Sequence, residues 1–304
     1  MTISTIPKRK RFERSDDPPP LRMTERDRAI LRAVHTYRML TCEQIQKLLF
    51  PGARIEVPRT RLRKLYHHRY LERIPIPASA SPLAGYMPVY RLARLGAALI
   101  AFEQQTPVAA LKYWGQGDDR DGRQQASVTT PFIAHELAMN DVRIAFTLAA
   151  KAHGYAIATW HDEPTLRGFK DSVSVVMESG RPHTVAVIPD AYCLLELPDR
   201  RAHFCLELDR STMTTARFQQ KIQAYQAYLA SGQFSARFHA QRVRILTIAP
   251  SLERLQNLQQ KTEEAGGSPI YWFTTLDAVV EHDPLHDLIW TVAGRGAERS
   301  PLIA

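Results

Sequence analysis

The residues best suited to chemistry lie in the second half of the chain: Pro189-Asp190, Glu207-Leu208-Asp209 and Lys221. Residues 185–197 and 202–209 read as consecutive strands joined by the turn Pro198-Asp199-Arg200-Arg201. Side chains alternate along a strand, so Glu207 and Asp209 share one face while Phe204, Leu206 and Leu208 take the other. An adjacent strand bearing Asp190 would bring three carboxylates together. Such a cluster repels itself unless a divalent cation neutralises it, and oxygen-only ligands suit Mg²⁺ or Mn²⁺. Asp190, Glu207 and Asp209 are therefore the candidate metal ligands, and a metal there would activate water against a phosphodiester. The same acids also have a purely structural use, with Arg210 or Arg217 pairing with Asp209 or Glu207.

This arrangement resembles the PD-(D/E)XK nuclease superfamily, whose core runs helix, three strands, helix, strand. Asp190 and Glu207 match its metal-holding acids. The superfamily's lysine would fall at position 209, which is Asp here. Some members carry the basic residue on the following helix, and the resemblance assigns that role to Lys221, with Tyr225 four residues on. It also implies that Glu136, on the helix before the strands, supplies a further acid to the catalytic set. Other catalytic signatures are missing. The chain has no phosphate-binding Gly-x-x-x-x-Gly-Lys-Ser/Thr loop, no Gly-x-Ser-x-Gly elbow and no Gly-x-Gly-x-x-Gly. Its three cysteines, Cys42, Cys193 and Cys205, have no Cys-x-x-Cys spacing and read as buried free thiols.

The elements that must deliver this chemistry to a substrate are set by charge. The 304 residues carry a net +9, which favours a polyanionic partner. Residues 1–105 hold 20 Lys and Arg against 9 Asp and Glu, whereas the remainder holds 20 against 22. Residues 1–20, with Lys8 to Arg11 and three prolines, read as a disordered basic tail. Residues 21–105 read as three short helices followed by a hairpin and a closing helix, the order of a winged helix-turn-helix. Two capping patterns, Thr24…Asp27 and Thr41…Gln44, start the first two helices. The third carries Arg59, Arg61, Arg63, Lys64 and His67, with Arg59 and Arg63 on one face. A helix of this size fits the major groove of double-stranded DNA. Arg73 and Arg91 would add charge from the wing. Residues 106–129 read as a linker, and 130–304 as an α/β domain of restriction-endonuclease-like layout.

Several segments together are similar to the replication-relaxation family of plasmid and mobile-element proteins. They are residues 24–31, 40–52, 61–66, 135–141, 189–192 and 206–212, whose order and spacing carry the likeness. The resemblance implies a role in plasmid replication and DNA relaxation. Two functions follow. One is a two-domain DNA-binding nickase using Mg²⁺ or Mn²⁺. The other is a non-catalytic regulator whose second domain mediates homodimerisation or partner binding. No run approaches the ~20 apolar residues of a membrane span, and no apolar signal core opens the chain, so a cytoplasmic location is expected.

Overall fold

The computed structural model describes residues 13–74, 88–111, 130–176, 182–211 and 213–304. It divides into two compact units, Met1–Asn140 and Asp141–Ala304. The first opens with α1 (Glu25–Tyr37), α2 (Cys42–Leu49) and α3 (Glu56–His67). Both expected capping boxes form, Thr24 with Asp27 and Thr41 with Gln44. Each satisfies amide groups that the helix itself leaves unbonded. Ile30, Leu31 and Val34 of α1, Ile45 of α2, and Leu62 and Leu65 of α3 are fully buried. β1 (Leu71–Ile74) and β2 (Val89–Leu92) then pair antiparallel, and α4 (Arg94–Gln104) follows. Gly96 lets α4 approach the hairpin: a Cβ there would lie 2.2 Å from the Tyr70 carbonyl oxygen.

Residues 13–20 differ from the disordered tail expected for 1–20. The Ser15 amide donates to His67 Nδ1 at 3.0 Å, and the Arg14 guanidinium donates to the Leu71 carbonyl at 3.2 Å. These contacts lay the segment along α3 and β1. The cluster Lys8–Arg11 lies outside the described residues, as do 112–129 of the expected linker. The start of α5 (Thr130–Ala152) belongs to the first unit, where Ile133 and Leu137 bury against Met39, Ile74 and Val89.

The second unit is a seven-stranded mixed sheet with helices. In chain order it comprises β3 (Ala156–Asp162), α6 (Glu163–Phe169), β4 (Ser172–Val176), β5 (Pro182–Ala186), β6 (Ala191–Glu196) and β7 (Arg201–Leu208). Then come α7 (Thr215–Ala230), α8 (Gln233–Phe238), β8 (Arg244–Ala249), α9 (Leu252–Glu264) and β9 (Tyr271–Thr275). α10 (Leu276–Glu281), β10 (Trp290–Val292) and β11 (Arg299–Ser300) complete it. The sheet order is β11-β10-β9-β8-β7-β6-β3, with β7, β8 and β9 mutually parallel and the other pairs antiparallel. The expected single strand at 185–197 is two strands. β5 pairs with β4 in a separate ribbon, and β6 joins the main sheet. Pro189, which has no amide hydrogen to give a ladder, stands at the break. The division sets Asp190 at the head of β6.

Candidate functional site

Antiparallel pairing of β6 with β7 brings Ala191 opposite Leu206, so Asp190 arrives beside Glu207. The Asp190 amide donates to the Leu206 carbonyl at 3.0 Å, and its Oδ2 accepts from the Leu208 amide at 2.7 Å. Two main-chain bonds thus fix the orientation of the half-buried carboxylate. Glu207 is buried, only 7% exposed. Its Oε2 takes an ion pair from Lys221 Nζ and its Oε1 a hydrogen bond from Tyr225 OH. Both donors stand one turn apart on α7, whose N-cap Thr214 accepts from the Arg217 amide at 3.4 Å. Burial pushes the Glu207 carboxyl up, to about 7, against the opposing Lys221 charge, and the Asp190 charge adds to the rise. Burial alone would lower Lys221, but the charges of Glu207 and Asp190 outweigh it and keep the ammonium protonated. Burial and the Glu207 charge hold the Tyr225 phenol far above its ordinary value, so it acts as a neutral donor.

Asp209, expected on the same face as Glu207 and among the metal ligands, is committed elsewhere. It lies just past β7, and Arg254 of α9 holds both its oxygens, at 2.7 and 3.0 Å. The Ser211 amide adds a third bond at 3.0 Å. The structural partners expected from sequence, Arg210 and Arg217, are replaced by Arg254 and Lys221.

An acid that reads in the sequence as part of a polar loop stands in the cluster instead. Glu163 is the first residue of α6, which Asp162 caps by accepting from the Thr165 amide at 3.0 Å. A carboxylate oxygen of Glu163 and one of Asp190 lie within 4.8 Å of each other. Two oxygens that share one divalent ion lie at most about two metal–oxygen bonds apart, roughly 4.2 Å for Mg²⁺ and up to about 5.2 Å for Ca²⁺. A separation below 4.8 Å is of that order. The available signal was Asp162-Glu163-Pro164, an N-cap followed by an acid and a proline at the start of a helix. Beside Lys221 and Tyr225 opens a cleft of about 320 Å³, with Arg217 exposed at its edge.

A family model described as Replication-relaxation matches residues 31–245, more than half of the chain. The chain belongs to the replication-relaxation family. No curated protein matches it. Among solved structures, the restriction endonuclease FokI bound to DNA is similar at 10% identity and a TM-score of 0.24. That likeness covers 84% of this chain and 43% of the endonuclease, so the chain spans less than half of that protein's length.

The replication-relaxation protein distributes its expected nucleic-acid-binding side chains unevenly. Arg59 and Arg63 are exposed on one face of α3 and, with Arg73 and Tyr90, line a cleft of about 250 Å³. Arg61 is turned inward onto Asp27 of α1, with Nε donating to Oδ1 at 2.7 Å. Asp27 is fully buried, and burial works to raise its pKa. Hydrogen bonds from Arg61 and Thr24 outweigh that and hold the carboxyl below its usual range. Lys64 donates to the Pro20 carbonyl at 3.1 Å, and His67 accepts from Ser15. Arg73 lies over the Tyr66 ring at 4.2 Å. Arg91 is half-buried, its pKa lowered by burial and by the Arg38 charge, with Glu136 of α5 opposing. Glu136 belongs to the first unit and has Arg91 as an electrostatic neighbour there. Among the described residues, no helix is long and apolar enough to cross a membrane.

Proposed function

We propose that this replication-relaxation protein acts in the bacterial cytoplasm on double-stranded DNA of a plasmid or mobile element, relaxing it by metal-dependent nicking. In this reading the first unit is a winged helix-turn-helix that presents Arg59 and Arg63 of α3 to the duplex. The second is a restriction-endonuclease-like module. One observation carries it: Asp190, Glu207 and Lys221, separated by up to 31 positions in sequence, meet at one end of β6 and β7. Buried carboxylates need compensation, and an ammonium pinned by two neighbours is a costly arrangement for a merely solvated strand end.

Glu163 and Asp190 fit a divalent cation by donor type and spacing, while Glu207 serves as the buried counter-ion of Lys221. When bound, Mg²⁺ or Mn²⁺ would polarise a phosphoryl oxygen and acidify a water. Lys221 keeps its proton on Nζ, and its N–H groups not donated to Glu207 orient a water or a phosphate oxygen. Tyr225 holds the other Glu207 oxygen and so fixes the direction of the ammonium. Arg217, at the edge of the neighbouring cleft, meets the phosphate backbone.

Supercoiled plasmid incubated with the protein and Mg²⁺ or Mn²⁺ is expected to run as open circles. EDTA stops the conversion, and Asp190→Ala abolishes it. Plasmid that stays supercoiled with either metal at high protein concentration overturns the nicking mechanism.

A further inference from the structure

A second basic feature lies on the other end of the sheet from Glu207. The N-terminal ends of the parallel strands β7 and β8 border a cleft of about 760 Å³. Five arginines from three separate segments line it: Arg200 and Arg201 at the start of β7, Arg242 and Arg244 at the start of β8, and Arg295 beyond β10. Two of them are locally compensated, Arg200 by Asp199 at 3.2 Å and Arg201 by Glu196 at 2.8 Å. Arg244 is committed to shape, donating to the Leu302 carbonyl at 2.6 Å and lying 4.8 Å over the Trp272 ring. Burial, then the neighbouring Arg200 charge, lowers its pKa. Arg242 and Arg295 are exposed and have no acidic partner among the described residues.

Crowded, uncompensated guanidinium groups around a concave surface are stabilised by anions, and phosphate matches the guanidinium fork. A cleft of about 760 Å³ with arginines from three chain segments has room for successive phosphates and is larger than one small ion needs. We infer that this cleft binds the phosphate backbone of a single DNA strand, with Arg242 and Arg295 as its principal contacts. The inference rests on the DNA-processing reading for the identity of the ligand. It adds a strand-holding site to the acidic cluster and the α3 face. A nicked or unwound duplex would leave one strand there.

The test uses the full chain and a fluorescein-labelled oligothymidylate of about 12 nucleotides, with binding followed by anisotropy from roughly 50 to 200 mM NaCl. Arg242→Ala/Arg295→Ala is expected to weaken binding roughly tenfold and to lower the salt slope by about 1.4, two phosphates at ~0.7 each. Arg242→Lys/Arg295→Lys keeps the charge and most of the slope. Unchanged affinity and slope in the double alanine variant overturn the inference. So does displacement of the strand by low-millimolar inorganic phosphate at matched ionic strength, which would make this a site for free phosphate. Arg59→Ala/Arg63→Ala separates the two readings. Oligothymidylate binding that falls only in that variant overturns the cleft and leaves α3 docking standing. Binding that falls only in the Arg242/Arg295 variant supports the cleft, whatever the fate of docking or nicking.

Discussion

Glu207 illustrates how a single side chain constrains its neighbours. It is buried, so its charge must be met inside the protein, and Lys221 and Tyr225 meet it. The lysine depends on the acid in turn, because its ammonium is mostly withdrawn from water, with 26% of the side chain exposed. Glu207→Gln leaves Lys221 short of a counter-charge and is expected to destabilise the protein by about 3–5 kcal/mol, read as a lower urea midpoint. Glu207→Gln/Lys221→Met removes both charges and should recover at least half of that loss. A double variant no more stable than the single one would mean that the two charges are not energetically coupled. Asp209 teaches the opposite lesson. It has the residue type and the position of a metal ligand, and Arg254 takes both its oxygens.

Elements position these side chains through their ends and their close approaches. The break between β5 and β6 puts Asp190 at a strand start, where its carboxylate reaches the Leu208 amide across the ladder. The Asp27–Arg61 pair ties α1 to α3 and leaves Arg59 and Arg63 as the outward face of that helix. Glycine placement gives a test at this scale. Within a helix, Gly→Ala ordinarily stabilises by about 0.4–1 kcal/mol. That sign should hold for Gly168 of α6, where an added Cβ meets nothing within 4 Å. It should reverse for Gly96 of α4, whose Cβ would collide with the Tyr70 carbonyl. Gly96→Ala is expected to cost about 1–3 kcal/mol through a forced shift of helix from hairpin. Thermal midpoints moving in opposite directions for the two variants would check both assignments, and equal shifts would contradict them.

For the whole molecule, net charge is an incomplete guide. The excess of +9 resides in the first 105 residues, yet the remainder, with two more acids than bases, still gathers five arginines around one cleft. Regional sums miss this because they carry no information on which residues the fold brings together. Duplex binding by the intact protein should therefore respond steeply to salt. Removing one cationic partner of a phosphate lowers the log–log slope by about 0.9 on duplex DNA. Arg59→Ala/Arg63→Ala should reduce the slope by about 1.8, whereas Arg61→Ala should act mainly on stability, because that side chain neutralises Asp27. A slope unchanged in the Arg59/Arg63 variant would remove α3 from the interface.

Much of this was legible in the residues themselves. Capping pairs, apolar periodicity and turn residues located most helices and strands, because these signals act over a few positions. The acidic motif stood out for the same reason, as charges set within an apolar run, and Lys221 through the resemblance to the nuclease superfamily. Partner choice was not legible. Whether Asp209 meets Lys221, Arg217 or Arg254, and whether Arg61 faces solvent or Asp27, depends on which distant segments the sheet and helices bring alongside. Glu163 reads as part of a polar loop because its neighbour Asp190 is 27 positions away, and the arginine cleft is invisible because its five residues span 96 positions. The sequence by itself determined the chemical groups, the local elements and the regional charge. Only the tertiary structure decided which charges cancel and which stay available, because ion pairing depends on distance through space and not along the chain.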